Sequence, residues 1–248
     1  MLFDLARPLA NQFILFNLFR YITFRSGAAC LTALIVSFIL GPPLIRWLKS
    51  VQREGQPIRE DGPERHLIDK KGTPTMGGVL ILSALTVSTL LWVDLRNAYV
   101  WAVLFVTLGY GALGFADDYR KLSRRNHKGV SARVKLTAQM VIGLAAAIWI
   151  MLLTRGAFAT ALAVPMFKDV LIPFGYAFPF FGMLVMLGAS NAVNLTDGLD
   201  GLAIVPTIIC AGVFALIAYL VGNRIFADYL QLNPVPGVGE LGGGHANE

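Results

Sequence analysis

Six long apolar runs constrain this chain more than any other feature. They lie at roughly 27–45, 76–93, 98–116, 136–153, 172–190 and 202–221. A helix needs about 20 such residues to cross a bilayer core. The expected fold is therefore all-α: a polytopic integral membrane helix bundle with six transmembrane helices, built as a single transmembrane domain over residues 1–230. Composition agrees, since only 15% of residues are charged and mean hydropathy is +0.63, whereas soluble domains are about a quarter charged. The fifth run contains Pro173 and Pro179, so a kink or an irregular start is expected there. Phe13, Phe16, Phe19 and Phe24 precede or open the first run and suit an amphipathic interfacial lead-in. No A-x-A-like cleavage site marks a signal peptide. Residues 231–248 are polar and rich in Gly and Pro, and are expected to form a disordered tail.

The net charge of +6 matters less than its distribution. Fourteen of the 21 Lys and Arg residues fall in two loops, seven in 46–71 and seven in 117–135. That is the positive-inside pattern of cytoplasmic loops. The loop at 191–201 then lies on the same side, and the links at 94–97 and 154–171 lie outside. In a membrane protein this basic balance marks topology, and no nucleic-acid partner is expected. Cys30 and Cys210 each sit within an apolar run and point to neither a disulfide framework nor a thiolate site.

All three loops on the basic side carry chemistry. The first ends in Lys70-Lys71-Gly72-Thr73-Pro74-Thr75-Met76-Gly77-Gly78. A helix starting at Thr73, with Pro74 at its first position, is expected from this string. Lys70 and Lys71 stand just before that start, where free N–H groups and cations together suit an anion; a capped helix with solvated lysines explains them equally well. The second loop opens on Asp117 and Asp118. Placed at the C-terminal end of the third helix, two carboxylates would oppose the helix dipole and repel one another. A divalent cation would compensate, and Mg²⁺ commonly takes one or two carboxylates plus substrate phosphates. The bases that follow serve either phosphate binding or topology alone. The third loop places Asn191, Asn194, Asp197 and Asp200 three residues apart, hence roughly on one side of a helix-like turn. Gly198 and Gly201 leave room beside them for a ligand or a tight turn. Asp197 could also cap the sixth helix.

Acids for a metal, amides for a ring or sugar and cations for phosphate suit metal-dependent phosphoryl transfer at a membrane edge. A transporter would instead place its polar groups near the midplane of broken helices.

The strings KKGTPTMGG, DDYRK and NAVNLTDGLDG, in this order, resemble the phospho-N-acetylmuramoyl-pentapeptide-transferase family, within the polyprenyl-phosphate N-acetylhexosamine-1-phosphate transferase superfamily. YITFR at 21–25, REDGPERH at 59–66 and VPMFKDV at 164–170 extend the resemblance, which runs from about residue 20 to about 230. It implies transfer of phospho-MurNAc-pentapeptide from UDP-MurNAc-pentapeptide to undecaprenyl phosphate, forming lipid I and UMP with Mg²⁺, at the cytoplasmic face of the bacterial inner membrane. It also raises a homodimer as the assembly. By the same resemblance Asp117 and Asp118 are the catalytic, metal-holding acids. Lys70, Thr75, Asn194, Asp197, Gly198, Leu199 and Asp200 would line the nucleotide and metal cleft, with Asn191 beside them. Lys121 and Arg133 would flank the phosphates. The family has ten helices and a third essential Asp in a later loop, which this sequence lacks, as it lacks the family's His-rich loop. The chain alone is therefore expected to have little activity. A related transferase using UDP-N-acetylglucosamine and a non-catalytic membrane fragment are the alternatives.

Overall fold

The computed structural model describes residues 2, 8, 13–52, 74–124, 129–154, 156, 159–164, 167, 170–197, 201–235 and 237–239. The α-helices bounded among the described residues are α1 (Ile22–Val51), α2 (Gly78–Trp92), α3 (Ala98–Ser123), α4 (Ala132–Leu153), α5 (Phe178–Thr196), α6 (Ile204–Gly222) and the short α7 (Arg224–Tyr229). Five of them, α1 and α3 to α6, are long and apolar enough to cross a membrane. The second apolar run instead gives α2, with 15 residues, which rises only about 22 Å at ~1.5 Å per residue. The all-α membrane bundle expected from the apolar runs is thus present, with one short member.

Helix ends depart from the hydropathy boundaries. The 30-residue α1 runs past its apolar run, through Pro42 and Pro43, and carries Arg46 and Lys49 toward Gln52. The second helix does not begin at Thr73–Pro74. Met76 has φ 74°, a left-handed conformation that no helix can continue, so α2 starts only after Gly77. The fifth run has the irregular entry expected from its prolines. A two-stranded antiparallel hairpin, β1 (Ala161–Ala163) with β2 (Leu171–Pro173), pairs Leu162 with Ile172. A 3₁₀ turn at Gly175–Ala177 follows, and Pro179 sits in the first turn of α5, where its missing N–H costs nothing.

Successive helices pack as neighbours: α1 on α2, α2 on α3, α3 on α4 and α4 on α5. The seams use small residues, as expected where lipid removes the hydrophobic drive and close approach must supply the contact. Ala146 and Ala147 on α4 are buried, and Gly182 on α5 faces Ala147. Gly111 on α3 lies so close to Leu82 on α2 that a methyl group there would overlap it. The outward faces remain exposed, with Phe38 and Phe214 among the most open; in a bilayer such faces meet lipid.

The two ends of the bundle differ. At one end the 3₁₀ helix Ile14–Arg20 brings Phe19 to stack on Trp92 at 5.6 Å. The Trp92 indole donates to Thr32 Oγ1 at 2.9 Å. Within the stretch expected to be disordered, Gly237 accepts a 2.7 Å bond from Asn97 Nδ2, and Val235 N–H donates to Val221. The opposite end carries the polar constellation described next.

Candidate active site

The constellation gathers four segments far apart in sequence. Gln52, the residue after α1, holds the backbone of Thr75: its Oε1 accepts from Thr75 N–H at 2.9 Å and its Nε2 donates to Thr75 O at 3.3 Å. Thr75 Oγ1 donates to Asp118 Oδ2 at 2.9 Å. Lys121, one turn along α3, lies 2.6 Å from Asp117 Oδ2 and 3.5 Å from Asp118 Oδ1. Val130 N–H, just before α4, donates to Asp117 Oδ1 at 2.7 Å. The TPTMGG and DDYRK strings are therefore brought together in space.

The Asp pair is not at a helix end. α3 continues through Asp117 and Asp118 to Ser123, with Arg120 and Lys121 in its last turn. The helix dipole acts mainly within that last turn, so it is not the main burden on the pair. The reason is that hydropathy marks only the apolar part of α3, while Arg120, Lys121 and Leu122 are good helix formers that carry the helix on. Among the described residues the Lys121 ammonium offsets the charge of the pair. The two acids also differ. Both oxygens of Asp117 are occupied, whereas Asp118 is the more exposed, 32% against 18%, and among the described residues its Oδ1 has just the long Lys121 contact.

The third string is split. Asn191 and Asn194 lie within α5, which ends at Thr196, and Asp197 is its C-cap residue. Asp197 does not cap α6, whose preceding residue is Ala203. Asn191 is committed inward: its Nδ2 donates to Gln139 Oε1 at 3.1 Å and to Leu187 O at 2.9 Å. Gln139, buried on α4, also donates to Ser190 Oγ at 3.3 Å, and Tyr110 OH donates to its backbone carbonyl at 3.1 Å. The Asn191 and Gln139 amides thus brace α4 against α5, with Tyr110 of α3 tied to the Gln139 backbone, and the Asn191 amide is not presented as a free group to a ligand. Asn194 and Asp197 are exposed. Arg133 is exposed in the first turn of α4 and makes no hydrogen bond or ion pair among the described residues. Lys70, Gly198, Leu199 and Asp200 lie outside the described residues.

Gln52, Gly129 with Val130, and Gln139 are the participants that the sequence strings did not mark. Each acts through partners distant along the chain, and none stands in a motif with local spacing. Among the described residues no three His, Cys, Asp or Glu side chains gather as a metal cluster. Two adjacent carboxylates are a donor set of the kind that Mg²⁺ takes together with substrate phosphates.

Known proteins match this arrangement where its motifs lie. Residues 100–233 match the profile described as glycosyl transferase family 4. Residues 70–82 match phospho-N-acetylmuramoyl-pentapeptide-transferase signature 1. A phospho-N-acetylmuramoyl-pentapeptide-transferase of Granulibacter bethesdensis is 79% identical over 241 residues, covering 97% of this chain and 67% of the relative. Those of Gluconobacter oxydans and Gluconacetobacter diazotrophicus are 62% and 60% identical, covering 62% and 67% of their own lengths. The chain thus spans about two thirds of the length of these relatives. With its TPTMGG segment joined to the acid pair of α3 and this similarity along nearly its whole length, the chain belongs to the phospho-N-acetylmuramoyl-pentapeptide-transferase family, within glycosyl transferase family 4.

Proposed function

We propose that this chain carries the acid-pair part of a membrane transferase that moves phospho-MurNAc-pentapeptide from UDP-MurNAc-pentapeptide to undecaprenyl phosphate, yielding lipid I and UMP. The net change forms a bond from a lipid phosphate oxygen to the sugar-bearing phosphorus and breaks that phosphorus's bond to UMP. The observation that carries the reading is the Thr75–Asp118 hydrogen bond, which joins the two motif strings, with Lys121 between the acids. Asp117 and Asp118 would hold Mg²⁺, which when bound supplies positive charge to a diphosphate. Lys121 adds a cation one turn from both acids. Arg133 stands at the N-terminus of α4, where free N–H groups and a guanidinium suit phosphate oxygens. Asn194 and Asp197 offer an amide and a carboxylate to the nucleotide. Lys70, Gly198, Leu199 and Asp200 belong to the same cleft by their match to the family's positions. The basic loops support a reading in which this end faces the cytoplasmic side of a bacterial inner membrane.

The test joins this chain to the remaining third of the Granulibacter relative and follows UMP release and lipid product in detergent. Turnover of the muramoyl donor is expected, and Asp118→Asn should lower it by about 100-fold or more, the scale of removing a charge-positioning group. Turnover of UDP-N-acetylglucosamine with none of the muramoyl donor would overturn the substrate assignment.

A further inference from the structure

We infer that Gln52 is a positioning residue: its amide clamps the backbone of Thr75 so that the Thr75 hydroxyl is held on Asp118. The inference rests on the proposed role of the acid pair in binding a divalent cation and phosphates. Gln52 is only 8% exposed, and a buried side-chain amide needs partners at both ends. It finds them on one residue, in the two-bond pattern by which a neighbouring strand would grip a peptide. Its Nε2 also reaches Met76 Sδ at 3.8 Å. The clamp sits where the backbone most needs one. Pro74 has no N–H to donate, and Met76 is held at φ 74°, a left-handed conformation unfavourable to a non-glycine residue. α2 begins only after it, so no helical hydrogen bond fixes Thr75. Gln52 itself is fixed by the end of α1, its N–H donating to Leu48 O at 2.8 Å. The path from α1 through Gln52 and Thr75 to Asp118 thus sets the rotamer of the more exposed acid. Threonine alone could not do this, because an unclamped 74–77 segment would let its hydroxyl swing away.

The experiment uses the full 248-residue chain in nanodiscs and two readouts. The first is hydrogen exchange at the Thr75 amide, which reads cleanly because Pro74 contributes none. The second is Mn²⁺ binding by electron paramagnetic resonance, with Mn²⁺ standing in for Mg²⁺ as an oxygen-seeking cation. Gln52→Met, similar in length and apolar, should speed Thr75 exchange and weaken Mn²⁺ binding by about three- to tenfold, the scale of one hydrogen bond. Thr75→Val should weaken Mn²⁺ binding equally without the Gln52 change, Thr75→Ser should restore it, and the Gln52→Met/Thr75→Val pair should be no weaker than either alone. Unchanged Thr75 exchange in Gln52→Met overturns the clamp. Faster exchange with unchanged Mn²⁺ binding overturns the positioning role and leaves Gln52 a structural group. Additive losses in the double variant overturn the path through Thr75. If the unaltered chain binds no Mn²⁺, the metal-binding reading of the acid pair fails, and with it the positioning role; the exchange readout then still decides whether the clamp exists.

Discussion

Asp117 and Asp118 are neighbours with different duties. Asp117 is gripped from two directions, by Lys121 within its own helix and by Val130 N–H from the loop before α4. Asp118 takes a hydroxyl bond from Thr75, and among the described residues its other oxygen has just a long contact. The grip on Asp117 depends on Gly129, since a methyl group there would overlap Asp117 Oδ1 and its carboxyl carbon. Neither can yield cheaply. The loop is backbone, and the carboxylate is bonded at both oxygens. Gly129→Ala should therefore break the Val130 bond. A hydrogen bond to a charged group contributes about 1.5–3 kcal/mol, so turnover in the chimaeric enzyme should fall by roughly tenfold or more. Gly114→Ala is the control, because no atom lies near its added methyl, and alanine favours a helix over glycine by about 1 kcal/mol. It should hold or raise the melting temperature. Equal turnover for Gly129→Ala and the unaltered chain would show that Asp117 does not need the loop.

The helices place these residues by packing that local sequence only partly reveals. Apolar runs locate the helices because bilayer thickness fixes their length. They do not locate the ends: α3 continues through its charged residues to Ser123, and α2 starts late because Met76 is left-handed. The acid pair is legible because both residues are adjacent in one string. Gln52, 23 residues from Thr75, and Gln139, 52 from Asn191, are not, since nothing beside either residue distinguishes a buried amide from a solvated one. Gln139 shows what such a residue does for an element. Removing its amide by Gln139→Leu would leave Asn191 and Ser190 to find other partners at the α4–α5 seam. Interhelical hydrogen bonds in membranes average about 0.6 kcal/mol and reach ~1.7. The variant should thus lower the melting temperature by only a few degrees, with the α4–α5 packing retained through Ala147 and Gly182. Gly111→Ala drives a methyl into the Leu82 side chain at the α2–α3 seam; overpacking costs about 1–3 kcal/mol and helix propensity returns about 1, so its net cost is about 0–2 kcal/mol, the same scale. Thermal unfolding in one detergent compares the two. A clearly larger loss for Gln139→Leu would mean that the polar brace, not close helix approach, holds this bundle.

Across the whole molecule, hydrogen bonds sort the segments into two ends. Gln52, Thr75, the acid pair and Val130 meet at one. At the other, Trp92 meets Thr32, Tyr99 OH lies 3.2 Å from Thr154 Oγ1, and Gly237 meets Asn97. Each crossing from α1 to α4 carries the chain from one end to the other, and the hairpin and 3₁₀ turn before α5 belong with the second end, where Phe174 N–H donates to Thr160 O. The described bases Arg46, Lys49, Arg120, Lys121, Arg124, Arg133 and Lys135 lie on the helix ends and turns next to the acid pair, and the orientation proposed above would face this end to the cytoplasm. This orientation can be read with single cysteines, after Cys30 and Cys210 are replaced by alanine. Tyr176 in the 3₁₀ turn is 93% exposed and Tyr119, beside the acid pair, is 60% exposed. In spheroplasts, a membrane-impermeant maleimide should label Tyr176→Cys at once and Tyr119→Cys only after the membrane is opened. The reverse order would turn the whole bundle over and place the acids where a cytoplasmic nucleotide donor cannot reach them. Labelling of both from outside would separate the two ends from the two faces of the membrane, and the bundle could not then span it as its helices imply.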